Sequence, residues 1–310
     1  MHSRAKGVWL GIALLLLLTW LGGCDSGSEV RRVDFSRTRQ VLRPGSGNPG
    51  GKTFRIAVGA MISPQPTLIH YQRIVQYLGK RLGRPVEMVQ KKTYAELSAM
   101  LDQGMVEVAF ICSGPYAKTA GPLGLRLLAA PRIAGSTRYQ SYLIVNKDSP
   151  FSSLADLRGR SFAFTDPDSN SGHLVPRFWL FQMGEKPESF FAKLVYTHGH
   201  DNSIMAVARG LVDAAAVDSL VWKYHLKAGS ALALRTKVIR ESGYFGMPPV
   251  VASRHLADAE AGKVKEILLS MHRDPQGRRL LAGLHVERFV PARDRWYQPV
   301  RDMLAALEGR

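Results

Sequence analysis

Short apolar runs recur along this chain, and stretches with helical spacing stand between them. That alternation leaves few folds open. F-R-I-A-V-G at Phe54–Gly59 reads as a buried strand, and a turn holding Ser63, Pro64 and Pro66 leads from it into an amphipathic helix, Leu68–Leu82. Val86–Val89 and Val106–Ile111 are further strands, separated by a helix at Tyr94–Gln103, and the next helix opens at S-G-P-Y, Ser113–Tyr116. Strands that alternate with helices build a parallel sheet. With 310 residues, 45% of them hydrophobic, the chain can bury about two such domains.

A second unit begins at Tyr142–Val145. It continues through Ser153–Leu157, a strand at Ser161–Phe164 and a helix from Leu174 through Phe181. A strand at Leu194–Tyr196, a turn at His198–Asn202, a helix at Ser203–Gly210 and a strand at Ala214–Val217 follow. After about Gly243 the pattern changes, with a strand at Pro249–Ala252 and helices at Glu260–His272 and Pro275–Leu284. The predicted architecture is α/β with two discontinuous lobes, the second inserted in the first. Lobe 1 would comprise 53–140 plus 246–310 and lobe 2 141–245, joined by hinge crossings near Tyr142–Val145 and Met247–Val251. Parallel sheets bind ligands at the carboxyl ends of their strands, so both lobes would face one cleft.

Between the strand Phe162–Phe164 and the helix stands D-P-D-S-N-S-G-H-L-V-P, Asp166–Pro176. It places Ser169, Asn170 and Ser171 at a first helical turn, where unpaired N–H groups and the positive end of the macrodipole suit an anion. An ordinary Ser/Asn helix cap has the same look.

The N-terminus belongs to neither lobe. His2, Arg4 and Lys6 precede an apolar run, Val8–Leu21, too short for a comfortable membrane span, which reads as a secretory signal over residues 1–23. L-G-G-C at Leu21–Cys24 resembles a bacterial lipoprotein signal, in which the Cys24 thiol is diacylated after cleavage; a plain signal peptide with an unrelated cysteine is the alternative. Gly22 is a less usual residue there, and Asp25 resembles the signal that retains such lipoproteins on the inner membrane. Residues 24–52, with P-G-S-G-N-P-G-G at Pro44–Gly51, read as a flexible tether spanning roughly 30 Å. The expected location is the periplasmic side of the inner membrane, through a lipid anchor.

Cys112 is the second of two cysteines and reads as a buried bystander. No Cys/His/carboxylate cluster at metal spacing stands out, and no cofactor is expected. Loss of residues 1–23 lowers the formal charge of +17 only by Arg4 and Lys6. The basic residues are scattered and no nucleic-acid motif is present, so the field suits small anions or anionic headgroups.

Several motifs in order resemble one family. They are S-G-P-Y (Ser113–Tyr116), S-Y-L-I-V-N-K-D-S-P (Ser141–Pro150), L-A-D-L-R-G (Leu154–Gly159), the Asp166–Pro176 turn, G-H-D (Gly199–Asp201), V-D-A-A-A-V-D (Val212–Asp218) and R-F-V-P-A (Arg288–Ala292). From Phe54 to Arg301 the chain resembles the periplasmic phosphonate/phosphite/phosphate-binding proteins of ABC transporters, which have a two-lobed type II fold. The resemblance implies that Ser169, Asn170 and Ser171 hydrogen-bond the phosphoryl oxygens and that His200 adds a donor. Family members often carry Thr where Asn170 stands. Tyr116, Ser113 and Ser63 would come from the first lobe. Asp218 would be a hinge residue, an acid that orients His200, or a helix cap.

Relatives that bind aminoalkylphosphonates place acids beside the ligand's ammonium, and Leu220 and Met247 stand at the matching positions here. A buried ammonium without a counter-charge costs several kcal/mol. The resemblance therefore implies a small oxyanion: phosphite, phosphate or a simple non-amino phosphonate, with Gly246–Pro249 and Tyr244–Phe245 as an apolar wall for an alkyl group.

The implied protein is a monomeric, non-catalytic receptor serving an ABC permease and its ATPase. A subunit presenting ligand to a sensor kinase or chemoreceptor is the alternative. An enzyme built on Ser171 or Cys112 with His200 or His173 lacks a G-x-S-x-G elbow, and no Walker A sequence occurs.

Overall fold

The computed structural model describes residues 53–59 and 64–309. Cys24, its tether and Ser63 lie outside the described residues.

Thirteen strands are described: β1 Phe54–Val58, β2 Val86–Gln90, β3 Val108–Phe110, β4 Arg126–Arg132, β5 Arg138–Tyr139, β6 Ser141–Asn146, β7 Ser161–Phe164, β8 Lys193–Tyr196, β9 Ala214–Asp218, β10 Thr236–Glu241, β11 Phe245–Gly246, β12 Val250–Ala252 and β13 Arg288–Val290. They form a six-stranded sheet in the order β13-β4-β12-β3-β1-β2 and a five-stranded sheet in the order β10-β6-β9-β7-β8. Each has a parallel trio: β2, β1 and β3 in the first, β8, β7 and β9 in the second. An antiparallel strand flanks each trio, β12 beside β3 and β6 beside β9. β5 and β11 pair with each other alone, with Tyr139 opposite Phe245 and Arg138 opposite Gly246. The chain thus passes between the sheets twice along one antiparallel ribbon.

Helices fill the crossovers: α1 Pro64–Leu82, α2 Tyr94–Asp102, α3 Ser113–Thr119, α4 Val175–Gln182, α5 His200–Ala208, α6 Ser219–Lys227, α7 Asp258–Ser270, α8 Pro275–Ala282 and α9 Gln298–Glu308. α2 starts sharply because Thr93 and Glu96 form a capping box, each side chain bonding the other's backbone N–H. Ile74 and Leu78 of α1, Val264 and Leu268 of α7 and Leu281 of α8 pack with Phe54, Ile56 and Val108 on the first sheet. On the second, Ile204 and Val207 of α5 pack with Ile144 and Val217. A further cluster runs from Ala57 and Ala109 through Tyr139 and Met247 to Leu143 and Phe162, so apolar packing is continuous from one sheet to the other.

The ends of the parallel strands set the position of everything functional. β3 runs into α3, β7 into the Asp166–Pro176 turn, β8 into α5 and β9 directly into α6. Four helix starts therefore lie at strand carboxyl ends.

Candidate functional site

The Asp166–Pro176 turn is tighter in sequence and wider in space than the sequence suggests. Its helix opens not at Leu174 but with a π-type turn, Asn170–Leu174, that runs on into α4. The Leu174 amide donates to the Ser169 carbonyl at 2.9 Å, a five-residue step. Such wide turns recur at functional sites. Ser169, in extended conformation, is the N-cap: its Oγ accepts the Gly172 N–H at 3.0 Å. Ser169, Asn170 and Ser171 are all fully buried.

Two glycines permit the close approaches around this turn. A Cβ on Gly172 would sit 2.3 Å from Thr165 Oγ1 and 3.1 Å from His200 Cε1, so α5 begins directly against the turn. A Cβ on Gly114 would sit 2.3 Å from the Asp168 carbonyl oxygen and 2.8 Å from the Asn170 nitrogen. The start of α3, from the first sheet, therefore abuts the turn from the second. The Tyr94 N–H donates to Asp166 Oδ2 at 3.2 Å and Lys118 Nζ meets Asp168 Oδ1 at 2.7 Å, fastening the same junction.

Inside it lies a polar network. Asn170 Nδ2 donates to the Tyr139 hydroxyl at 2.9 Å, and Tyr139 lies 2.5 Å from Ser113 Oγ. The phenol oxygen accepts from the amide, and either hydroxyl can be the donor in the contact between Tyr139 and Ser113. Ser141 Oγ donates to the Ser171 carbonyl at 2.6 Å. The Asp218 N–H donates to His200 Nδ1 at 3.1 Å, with Thr165 Oγ1 at 3.2 Å. Nδ1 is thus an acceptor, and the ring proton sits on Nε2. Burial pushes the His200 pKa down to about 3, so the imidazole is neutral.

Four buried polar atoms around this network have no partner: His200 Nε2, Ser171 Oγ, Asn170 Oδ1 and the Tyr94 hydroxyl. Leaving such a group unmatched costs about 1–3 kcal/mol. Three of the four can donate. Among the described residues no Lys or Arg is fully buried, so the charge character of the site comes from neutral dipoles and helix starts. Asp218 caps α6 by accepting the Leu220 N–H at 2.7 Å, yet burial raises its carboxyl to about 7. Burial likewise raises Asp166, against the pull of the Asp168 and Tyr94 N–H groups. Cys112 is the N-cap residue of α3; burial raises its thiol, opposed by hydrogen bonds from the Asn170 and Gly114 amides. The sequence reading of Cys112 as a bystander missed this adjacency.

Of the residues singled out from sequence, the structure brings together Ser113, Ser169, Asn170, Ser171, His200 and Asp218. Asp218 orients His200 through its backbone N–H, while its carboxylate serves as the cap. Tyr116 does not join them: its hydroxyl donates to Asp294 at 2.8 Å, and Asp294 is held in turn by Arg301. Tyr139 occupies the phenol position in the network, and Tyr94 offers a second phenol. Sequence reasoning missed both, although T-Y-A-E at the end of β2 is a visible helix start.

Beside the network runs a groove of about 160 Å³. Asp218, Leu220 and Val221 form one wall, and Phe110, Ile111 and Pro249 another. Leu220 lines this space. Met247 does not: it is buried in the core and Pro248 lines the groove instead.

A family model described as "ABC transporter, phosphonate, periplasmic substrate-binding protein" matches residues 56–297. The chain is 26% identical over 269 residues to the phosphonates-binding periplasmic protein of Escherichia coli (strain K12), covering 85% of this chain and 79% of that one. It is 29% identical over 208 residues to the phosphate-import protein PhnD of Mycolicibacterium smegmatis, covering 63% and 64%. Its fold is similar to that of PhnD1 from Prochlorococcus marinus, solved in complex with methylphosphonate, with a TM-score of 0.75 at 18% identity over 84% of this chain and 99% of that one. Two sheets with parallel trios, joined by a double crossing and aiming their helix starts at one point, form the type II periplasmic binding fold. With the family match spanning most of its length, this chain belongs to the periplasmic phosphonate substrate-binding proteins of ABC transporters.

Proposed function

We propose that the chain captures a small phosphorus oxyanion, either phosphite, phosphate or a simple phosphonate without an amino group. Two lobes, 53–140 with 246–310 and 141–245, would close on it. The cargo then passes to a membrane permease driven by a separate ATPase. The observation that supports this most is the group of four unpartnered buried atoms at the helix starts. His200 Nε2–H, the Ser171 hydroxyl and the Tyr94 hydroxyl donate to phosphoryl oxygens, with Ser113 beside them. Hydrogen bonds to a charged acceptor contribute about 1.5–3 kcal/mol each. Asn170 Oδ1 accepts, which suits an oxyanion that keeps one P–OH proton.

Closure follows from the ligand's better fit to the closed state, in which Gly114 abuts the turn. The groups present favour holding over reacting: His200 is neutral with Nδ1 already engaged, and the Cys112 thiol is raised by burial. The anchor is Cys24, diacylated once residues 1–23 are removed, with 24–52 as the tether on the periplasmic face of the inner membrane.

The test is thermal unfolding of the chain lacking residues 1–23 with phosphite, phosphate, methylphosphonate, 2-aminoethylphosphonate and sulfate. A ligand at 100 times its Kd adds about 2.7 kcal/mol, raising the midpoint by about 5–10 °C. Stabilisation by a phosphorus oxyanion, weakened at least tenfold in affinity by Ser171→Ala, is the expected result. Stabilisation by sulfate alone, or by no member of the panel, would overturn the reading.

A further inference from the structure

We infer that the groove beside Asp218 receives the carbon substituent of the ligand, and that the preferred cargo is a phosphonate bearing an uncharged apolar group of about the size of a phenyl ring. This rests on the phosphorus-oxyanion reading above and narrows it.

The first support is continuity. Asp218 is shared between the two spaces: its N–H holds His200, and its side chain lines the groove. Ile111, also on the wall, is followed at once by Cys112 and Ser113 of the polar network. A phosphorus atom among the unpartnered donors would therefore have the groove as its neighbour across Asp218.

The second support is size and lining. At about 160 Å³ the groove matches the roughly 150 Å³ of apolar cavity known to accept benzene. Leu220, Val221, Phe110, Ile111, Pro249 and Phe289 give it hydrocarbon walls. A bare phosphite or a methyl group would leave most of that surface uncovered.

The third is charge. The ionisable groups facing the groove are Lys223, Lys227, Asp218, His285 and the phenols Tyr71 and Tyr224. Asp218 is the one carboxylate among them, and it is already committed to the Leu220 N–H. Burial disfavours its ionised form, so an ammonium finds little counter-charge there, whereas two lysines repel one. Tyr224 of α6 and His285, in the loop after α8, both line the groove and meet at 5.4 Å between centroids with their planes tilted by 58°. The pocket is thus walled by elements of both sheets and is complete only when they meet.

The experiment is isothermal titration of the full chain, purified in detergent, with phosphite, methylphosphonate, propylphosphonate, phenylphosphonate and 2-aminoethylphosphonate. A well-filled apolar pocket discriminates about tenfold or more per added group. Phenylphosphonate is expected to bind at least tenfold more tightly than methylphosphonate, with propylphosphonate between. Leu284→Trp, which adds bulk to the groove lining, should erase that preference and leave methylphosphonate affinity within about threefold, which also reports that the variant is folded. Leu220→Ala, which widens the groove, should weaken phenylphosphonate more than methylphosphonate. If methylphosphonate or phosphite binds and phenylphosphonate binds no better, the groove inference fails while the oxyanion reading stands. If phenylphosphonate binds Leu284→Trp as tightly as the native chain, the ring lies elsewhere and the inference fails. Preference for 2-aminoethylphosphonate would also refute it. If no member binds, both readings fall together.

Discussion

Gly114→Ala separates two effects that usually travel together. Gly114 lies within α3, where alanine is the better helix former by roughly 1 kcal/mol, so local propensity predicts a more stable helix. The added Cβ, however, would stand 2.3 Å from the Asp168 carbonyl oxygen, about 1 Å inside ordinary contact, and 2.8 Å from the Asn170 nitrogen. Both are backbone atoms and cannot rotate away. Overpacking of this kind costs about 1–3 kcal/mol. The obstruction lies between segments attached to different sheets, so under the proposed closure the ligand-free protein would relieve it by holding them apart, without unfolding. Only the closed, ligand-bound state of that proposal would need them together. The expected outcome is an unfolding midpoint equal to or slightly above that of the native chain, with affinity for its phosphonate reduced about 5–150-fold. Titration calorimetry gives the affinity and scanning calorimetry the midpoint. The Cys112 thiol should also react faster with an aromatic disulfide in the variant. A native affinity, or a lowered midpoint with affinity intact, would show that the Gly114 contact serves folding and not closure.

Three further outcomes are specific. Burial holds His200 down at about 3 and Asp218 up at about 7, against ordinary values of 6.5 and 3.8. Below pH 6.5 the unfolded chain takes a proton that folded His200 refuses, so that contribution falls as pH drops; folded Asp218 keeps a proton the unfolded chain releases, so its contribution falls as pH rises toward 7. Each is about 1.4 kcal/mol per pH unit and they oppose between about pH 4 and 6.5; Asp218→Asn should unmask a stability that climbs with pH in urea titrations, and an unchanged profile would sink the assignment. Tyr139→Phe leaves Asn170 and Ser113 without their shared partner and should cost about 1–3 kcal/mol of stability together with affinity; loss of neither would remove Tyr139 from the network. Cys24→Ser should move the chain from the membrane fraction to the soluble periplasm, and retention on the membrane would rule out anchoring through that thiol.

The parts of the fold that sequence makes visible are those where burial is two-sided. A-A-A-V-D in β9 and F-A-F in β7 are fully buried and read as apolar runs with little ambiguity. β10, T-K-V-I-R-E, is an edge strand whose residues are mostly half exposed, and it leaves no such run. β4 is masked by its terminal arginines and Pro131. The site follows the same logic. Ser169, Asn170, Ser171 and His200 announce themselves because small polar residues cluster where a strand turns into a helix. Tyr139 and Tyr94 do not, since a lone tyrosine in sequence looks like core until its hydroxyl is placed. Tyr116 shows the converse: the family resemblance implied a ligand contact, but its hydroxyl bonds Asp294, which Arg301, far along the chain, also holds.

The ribbon of β5 and β11 carries one more implication. Tyr139 sits in that ribbon opposite Phe245, and its hydroxyl touches Ser113 on one side and Asn170 on the other. Any rotation of one sheet against the other twists the two crossing strands, and the phenol turns with them. Under the proposed closure, the crossing ribbon and the oxyanion site would therefore meet at one side chain, so occupancy and posture would be read at a single point.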